Sequence, residues 1–119
     1  MMATDGCRWS LVAHHLDDET RVSFRGEEIF LDELDAEPLY NELSRLIEDG
    51  GRCHFVLDLS NVGYLTSTIL GVFLRLYKTL HSVGGSVVLA NVQPQIYEIF
   101  RVTRLNGLLD VRMNEGCTA

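Results

Sequence analysis

Little in this 119-residue chain points to a scaffold held by cross-links. Cysteine occurs only three times, at 7, 53 and 117, an odd number without paired spacing. Neither a disulfide framework nor a zinc site follows from that, and Cys53 reads as a small core residue opening a strand. The four histidines sit apart in different segments, except for His14-His15, which alternate across a predicted strand. No carboxylate or cysteine stands at metal-ligand spacing beside them, so no metal is expected. No apolar run approaches the roughly 20 residues needed to span a bilayer, so direct membrane insertion is not expected. The start, Met1-Met2-Ala3-Thr4-Asp5, lacks the basic and apolar regions of a secretion signal, and cytosolic residence is the expectation.

Positive charge is also scarce. Ten Lys and Arg face seventeen Asp and Glu, a net charge of −7, which disfavours nucleic acid and anionic membrane surfaces as partners. The imbalance is local. Residues 1–49 hold thirteen acids and four bases, a net of −9, whereas 50–119 hold four acids and six bases, a net of +2. Phosphate-binding glycine loops are missing, because Gly50-Gly51 and Gly84-Gly85 lack the required pattern. So is a nucleophile elbow or a supported Ser-His-Asp order. Enzymatic activity and a bound cofactor are therefore not expected.

What is present suits one globular domain over 1–119, with 1–7 and 113–119 as loose tails. Apolar content of 46% with 23% charge excludes a disordered chain, and the length suits a single core. Trp9 to His15 and Arg21 to Arg25 read as strands of an edge hairpin. Ile29-Phe30-Leu31 is a short apolar anchor. A first helix is predicted over 35–49, with Leu39, Leu43, Leu46 and Ile47 as its stripe and Tyr40 beside it. Asp35, Glu37 and Pro38 suit its first turn, and Gly50-Gly51 its end.

The organising stretch is 55–80. Phe55-Val56-Leu57 and Leu59 read as a central strand over 52–59 covered on both faces, and Ser60-Asn61-Val62-Gly63 as its exit turn. A second helix reaches to about Val83, its core side formed by Ile69, Phe73, Leu76, Tyr77 and Leu80 and widened by Leu70 and Leu74. Thr68, Gly71, Arg75, Lys78 and Ser82 fall on the opposite side. Thr66, Ser67 and Thr68 are N-cap candidates, with Ser67 favoured and Thr68 turned outward. Gly84-Gly85 stops the helix, Val87 to Ala90 is a buried strand, and Pro94 opens a third helix with Ile96, Ile99 and Phe100 inward. Asn106-Gly107 turns into a last strand over 108–111. Strand–helix alternation after residue 52 predicts parallel pairing through right-handed crossovers. The class is α/β, with a mixed sheet carrying an edge hairpin and packed helices.

Several pieces in order make the stretch from Val56 to Leu108 similar to a STAS domain. They are Leu57-Asp58-Leu59-Ser60-Asn61-Val62, Ser67-Thr68 before Leu70-Gly71-Val72, Leu76-Tyr77-Lys78, Gly84-Gly85, Ala90-Asn91-Val92-Gln93-Pro94, and Thr103-Arg104-Leu105. The resemblance implies an anti-sigma factor antagonist-like switch. It would bind an anti-sigma factor with serine/threonine kinase activity and be phosphorylated at Thr68 or Ser67 at the start of the second helix. A phosphatase would reset it, and the nucleotide would be held by the kinase.

Two positions depart from the family pattern. Thr66 stands where an aspartate is frequent, and Ile69 where glycine is common, so that a bulky side chain is expected to narrow access. Asp58 is expected to accept from turn amides near Asn61 or to help place a phosphoryl donor's metal. Arg75, Lys78, Arg101 and Arg104 are expected to form a basic patch for an acidic partner or for the phosphate itself. With Asp58, Thr66 and Gly71, these residues (Arg101 apart) complete the expected partner surface. The alternative is a constitutive STAS scaffold or docking subunit of a stress-sensing assembly or lipid-transport complex, using the same surface without phosphate. A flavodoxin-like ligand-binding domain is a third possibility. Capping alone would also account for the hydroxyls.

Overall fold

The computed structural model describes residues 9–16, 19–26, 28–50 and 54–113. The predicted tails, 1–7 and 113–119 (Met113 apart), and all three cysteines lie outside them. Strands β1 (Ser10–Leu16) and β2 (Glu19–Arg25) pair antiparallel from Ser10 opposite Arg25 to Leu16 opposite Glu19. Period-2 alternation makes this hairpin one-sided: Thr20, Val22 and Phe24 are buried, whereas Arg21 and Arg25 are exposed. Trp9 closes its open end, packing edge-on against Phe24 at 5.6 Å between ring centroids.

Five strands form the main sheet in the order β1-β2-β4-β6-β7, with β4 at His54–Asp58, β6 at Ser86–Val92 and β7 at Asp110–Met113. Every pair after the hairpin is parallel. Helices α1 (Glu33–Gly50), α2 (Ser67–His81) and α3 (Pro94–Val102) make the crossovers. The sheet grows in one direction, so right-handed connections put all three helices on one face. This corrects the expected two-sided cover of the central strand. Phe55 and Leu57 are fully buried while His54, Val56 and Asp58 are only half-buried.

A single row of small and branched residues runs beneath the helices: Ala13, Val22, Leu57, Leu89 and Val111 stand opposite one another across all five strands. Onto this row pack Leu39 and Leu43 of α1, Ile69, Phe73, Leu76 and Leu80 of α2, and Ile96 and Phe100 of α3. Phe73 and Phe100 stack at 6.5 Å and join α2 to α3. Each such side chain contributes about 1.5–3 kcal/mol by leaving water. Truncating one at the centre, such as Leu76 at 0% exposure, costs about 2–5 kcal/mol.

The boundaries differ from the sequence reading where local chemistry is stronger than periodicity. Helix α1 begins at Glu33 because Asp32 and Asp35 cap it reciprocally: Asp32 Oδ1 accepts from the Leu34 amide at 3.0 Å, and Asp35 Oδ2 from the Asp32 amide at 2.9 Å. Pro38 therefore lies in the second turn, where it removes the partner of the Leu34 carbonyl. Helix α2 ends at His81 in a Schellman arrangement. Gly84, at φ 79°, donates to the His81 carbonyl, and Gly85 donates to Leu80 at 2.7 Å. After α3, a 3-10 turn at Leu105–Gly107 delays β7, which includes Met113 and so removes that residue from the predicted tail. The stretch read as an exit turn, 60–63, runs into β5 (Val62–Leu65), and the apolar anchor is β3 (Ile29–Leu31). These two pair parallel in a small separate sheet. A three-residue strand and a glycine-containing four-residue strand carry too little periodicity to be seen before they meet.

Candidate functional site

The site is assembled where β4 ends and α2 begins. Asp58 turns its carboxylate back onto the chain, and Oδ1 accepts from the Ser60 amide at 3.0 Å. That is the turn-satisfying role expected of it, one residue earlier than Asn61. The loop is held from three directions. Asn61 donates through Nδ2 to the Phe24 carbonyl at 3.1 Å and accepts from the Ile29 amide at 2.7 Å, while Gln93 at the start of α3 donates to the Ser60 carbonyl at 2.8 Å. Strand β5 then delivers the chain to α2, with the Thr66 amide bonded to the Leu31 carbonyl at 3.1 Å. The sequence marks Asn61 as a turn residue and Gln93 as the residue before Pro94, with no bonding role for either side chain. Their bonding role depends on strands that are distant in sequence.

The cap of α2 is Thr66, not Ser67. The Thr66 backbone carbonyl accepts from the Ile69 and Leu70 amides at 3.0 and 3.2 Å, but its side chain makes no capping bond. Thr66 Oγ1 is buried without a hydrogen-bond partner. Ser67 and Thr68 occupy the first two helical positions, and both are exposed. Their amides have no acceptor within the helix, and no acidic residue stands in the first turn to offset the positive end of the dipole. Ile69 points into the core at 0% exposure. It therefore does not narrow access to Thr68, contrary to the expectation from its size.

Along the outward side of α2, a Cβ built on Gly71 meets nothing within 4 Å, and Lys78 is exposed. Arg75 is drawn toward α1, its guanidinium 3.9 Å above the centre of the Tyr40 ring. Tyr40 also reaches Thr79 Oγ1 at 3.4 Å. Its phenol pKa is lowered, first by the Thr79 hydrogen bond, then by Ser44 and the nearby Arg75 charge. Arg101 is engaged by Glu98 one turn earlier on α3. Arg104 is exposed at φ 65°, leading into the 3-10 turn. Arg75 leans to the α1 flank of α2, whereas Arg101 lies on α3 and Arg104 follows it, so the three arginines do not share one flank of α2. Among the described residues no group of three or more His, Cys, Asp or Glu is placed to hold a metal, and no helix is long and apolar enough to cross a membrane.

A one-faced mixed sheet followed, after its central strand, by a hydroxyl-bearing helix without a side-chain cap bond defines the architecture. The STAS domain family model matches residues 12–116, and the chain belongs to that family. The anti-sigma-B factor antagonist of Bacillus subtilis is 30% identical over 95 residues, covering 80% of this chain and 83% of that protein. An anti-sigma factor antagonist from Mycobacterium paratuberculosis superposes with a TM-score of 0.74 at 21% identity, over 87% of this chain and 85% of the other. The phosphorylated form of the Bacillus cell-fate determinant SpoIIAA gives a TM-score of 0.64 at 16% identity, over 92% and 96%. At these identities the two structures show the shared fold.

Proposed function

We propose that this protein is a non-catalytic, cytoplasmic antagonist of an anti-sigma factor, a switch set by phosphorylation at the start of α2. The carrying observation is that Ser67 and Thr68 are both exposed while neither serves as the helix cap. The resemblance aligns Thr68 with the phosphate acceptor, and Ser67 is the second candidate. In the reaction, the hydroxyl oxygen bonds the terminal phosphorus of a nucleoside triphosphate held by the partner kinase. The hydroxyl proton and the nucleoside diphosphate leave. The phosphate brings nearly two negative charges to the positive end of the α2 dipole, where free amides favour an anion. The fold therefore tolerates it, while a partner fitted closely to this face would have to bury it.

Gly71 supports the same face. A glycine inside a helix costs about 0.5–1 kcal/mol relative to alanine. The fold gains nothing in packing from it, because the space beyond is open, whereas a partner's close approach would use that space. Phosphopeptide mass spectrometry on protein from resting and stressed source cells tests the reading. Trypsin releases the peptide from Cys53 to Arg75, which contains both hydroxyls. The expected result is condition-dependent phosphate on Thr68 or Ser67, with Thr68→Glu losing the anti-sigma factor and Thr68→Ala keeping it. Full coverage without phosphate under any condition would leave a constitutive docking subunit.

A further inference from the structure

The small sheet beside this helix presents a feature the switch reading does not use. On strands β3 and β5 the inward side chains Ile29, Leu31, Val62 and Leu65 are buried. The outward pair, Phe30 and Tyr64, stand opposite each other in the ladder and pack ring against ring at 5.7 Å. Even so packed, Phe30 remains 64% and Tyr64 50% exposed, and Leu34, four residues on from Phe30, is 85% exposed. Among the described residues the other exposed large apolar side chains, Val83, Val102, Leu108 and Met113, are non-aromatic and lie at or beyond the ends of their elements. Two contacting aromatics in the middle of paired strands form a platform. A few anchors, aromatic residues prominent among them, carry most of the binding energy of protein interfaces.

The surroundings specify what the platform fits. Between Arg25 and Arg45 the sequence holds seven acids and no base. Of these, Glu28 lies against Gly63 beside Tyr64, its Cγ 3.6 Å from where a Cβ would stand, and Glu33 and Glu37 are exposed on the first two turns of α1. A second copy of this chain would bring two acidic rims together. A partner with an apolar pocket edged by Lys or Arg would meet both the rings and the rim.

We propose that Phe30 and Tyr64 are the apolar anchor by which this protein docks a basic-rimmed surface of its anti-sigma factor. This rests on the function proposed above. The platform adjoins the switch, since Tyr64 is four residues before Thr68 and β3 holds the Thr66 amide.

The experiment is titration calorimetry of the purified protein with the kinase-type anti-sigma factors of the source organism, each purified and tested singly. Phe30→Thr with Tyr64→Thr keeps strand-favouring residues in the ladder and is expected to weaken binding at least tenfold while the thermal transition stays cooperative. Glu33→Lys with Glu37→Lys leaves the rings in place and is expected to weaken binding several-fold, with a shallower salt dependence. Wild-type affinity in either folded double variant overturns the proposal, as does a wild-type dimer that the threonine variant makes monomeric in sedimentation. If a partner binds and Thr68→Glu abolishes binding while the threonine variant does not, the anchor alone is wrong. If no anti-sigma factor binds, the underlying function falls with it.

Discussion

Two helix starts lie side by side in this fold and are treated in opposite ways. At α1, Asp32 and Asp35 answer the exposed amides reciprocally, and Asp35 also accepts from the Trp9 indole at 3.0 Å. At α2, three hydroxyl residues in a row supply no side-chain cap to the first amides, and the one oxygen that is buried finds no partner. Both segments would be read as good N-termini. The first is fully engaged in holding the fold together, joining the hairpin's Trp9 to the helix layer. The second is left open, and this openness makes it available to an anion or a partner.

The largest expected break in this contrast is Asp35→Ala. It removes half of the reciprocal cap and strands a nearly buried indole N–H, so a loss of about 2–3 kcal/mol is expected in denaturant unfolding, with a red-shifted Trp9 emission. Next comes a matched pair. Asp32→Ala should cost about 1 kcal/mol, as cap removal does, whereas Thr66→Val should cost nothing and gain up to about 1 kcal/mol by deleting an unpartnered hydroxyl. Equal losses in the two melts would show that the Thr66 hydroxyl makes a capping bond. Gly71→Ala should raise stability by about 0.5–1 kcal/mol and weaken the anti-sigma factor in the same sample. Stabilisation with unchanged affinity would remove Gly71 from the interface.

The smallest effect is expected from the exposed Glu98–Arg101 pair. The Arg101 hydrogen bond holds the Glu98 carboxyl below its usual pKa. Any stability it brings is therefore present above the ordinary carboxylate range and lost as pH falls through the lowered value. Both side chains are more than half exposed, so Glu98→Gln should leave the melting curve unchanged between pH 3 and 7, within error.

Much of this fold was legible. The stripes of α1, α2 and α3 and the glycine stop after α2 follow from spacing and backbone chemistry that act within a few residues. Parallel pairing after residue 52 follows from alternation alone. The small β3–β5 sheet was not legible, because its strands are short and each depends on a partner more than thirty residues away. Capping was half legible: the residue types marked both helix starts, but the choice between Asp32 and Asp35, or between Thr66 and Ser67, turns on which backbone bends away from helical dihedrals. Size misled at Ile69, where bulk suggested a blocked acceptor until the core took the side chain in.

The engagement of the basic residues was hidden for a similar reason. In three dimensions Tyr40 holds Arg75 on one flank of α2, and Glu98 engages Arg101 on α3. The sequence by itself determined the class of fold, the order of its central elements and the outward setting of Thr68, since these depend on local periodicity and propensity. Only the tertiary structure decided which hydroxyl is buried, which charges are engaged and which aromatic pair stays in water. Those outcomes depend on contacts between segments far apart in the chain, and no local pattern encodes them.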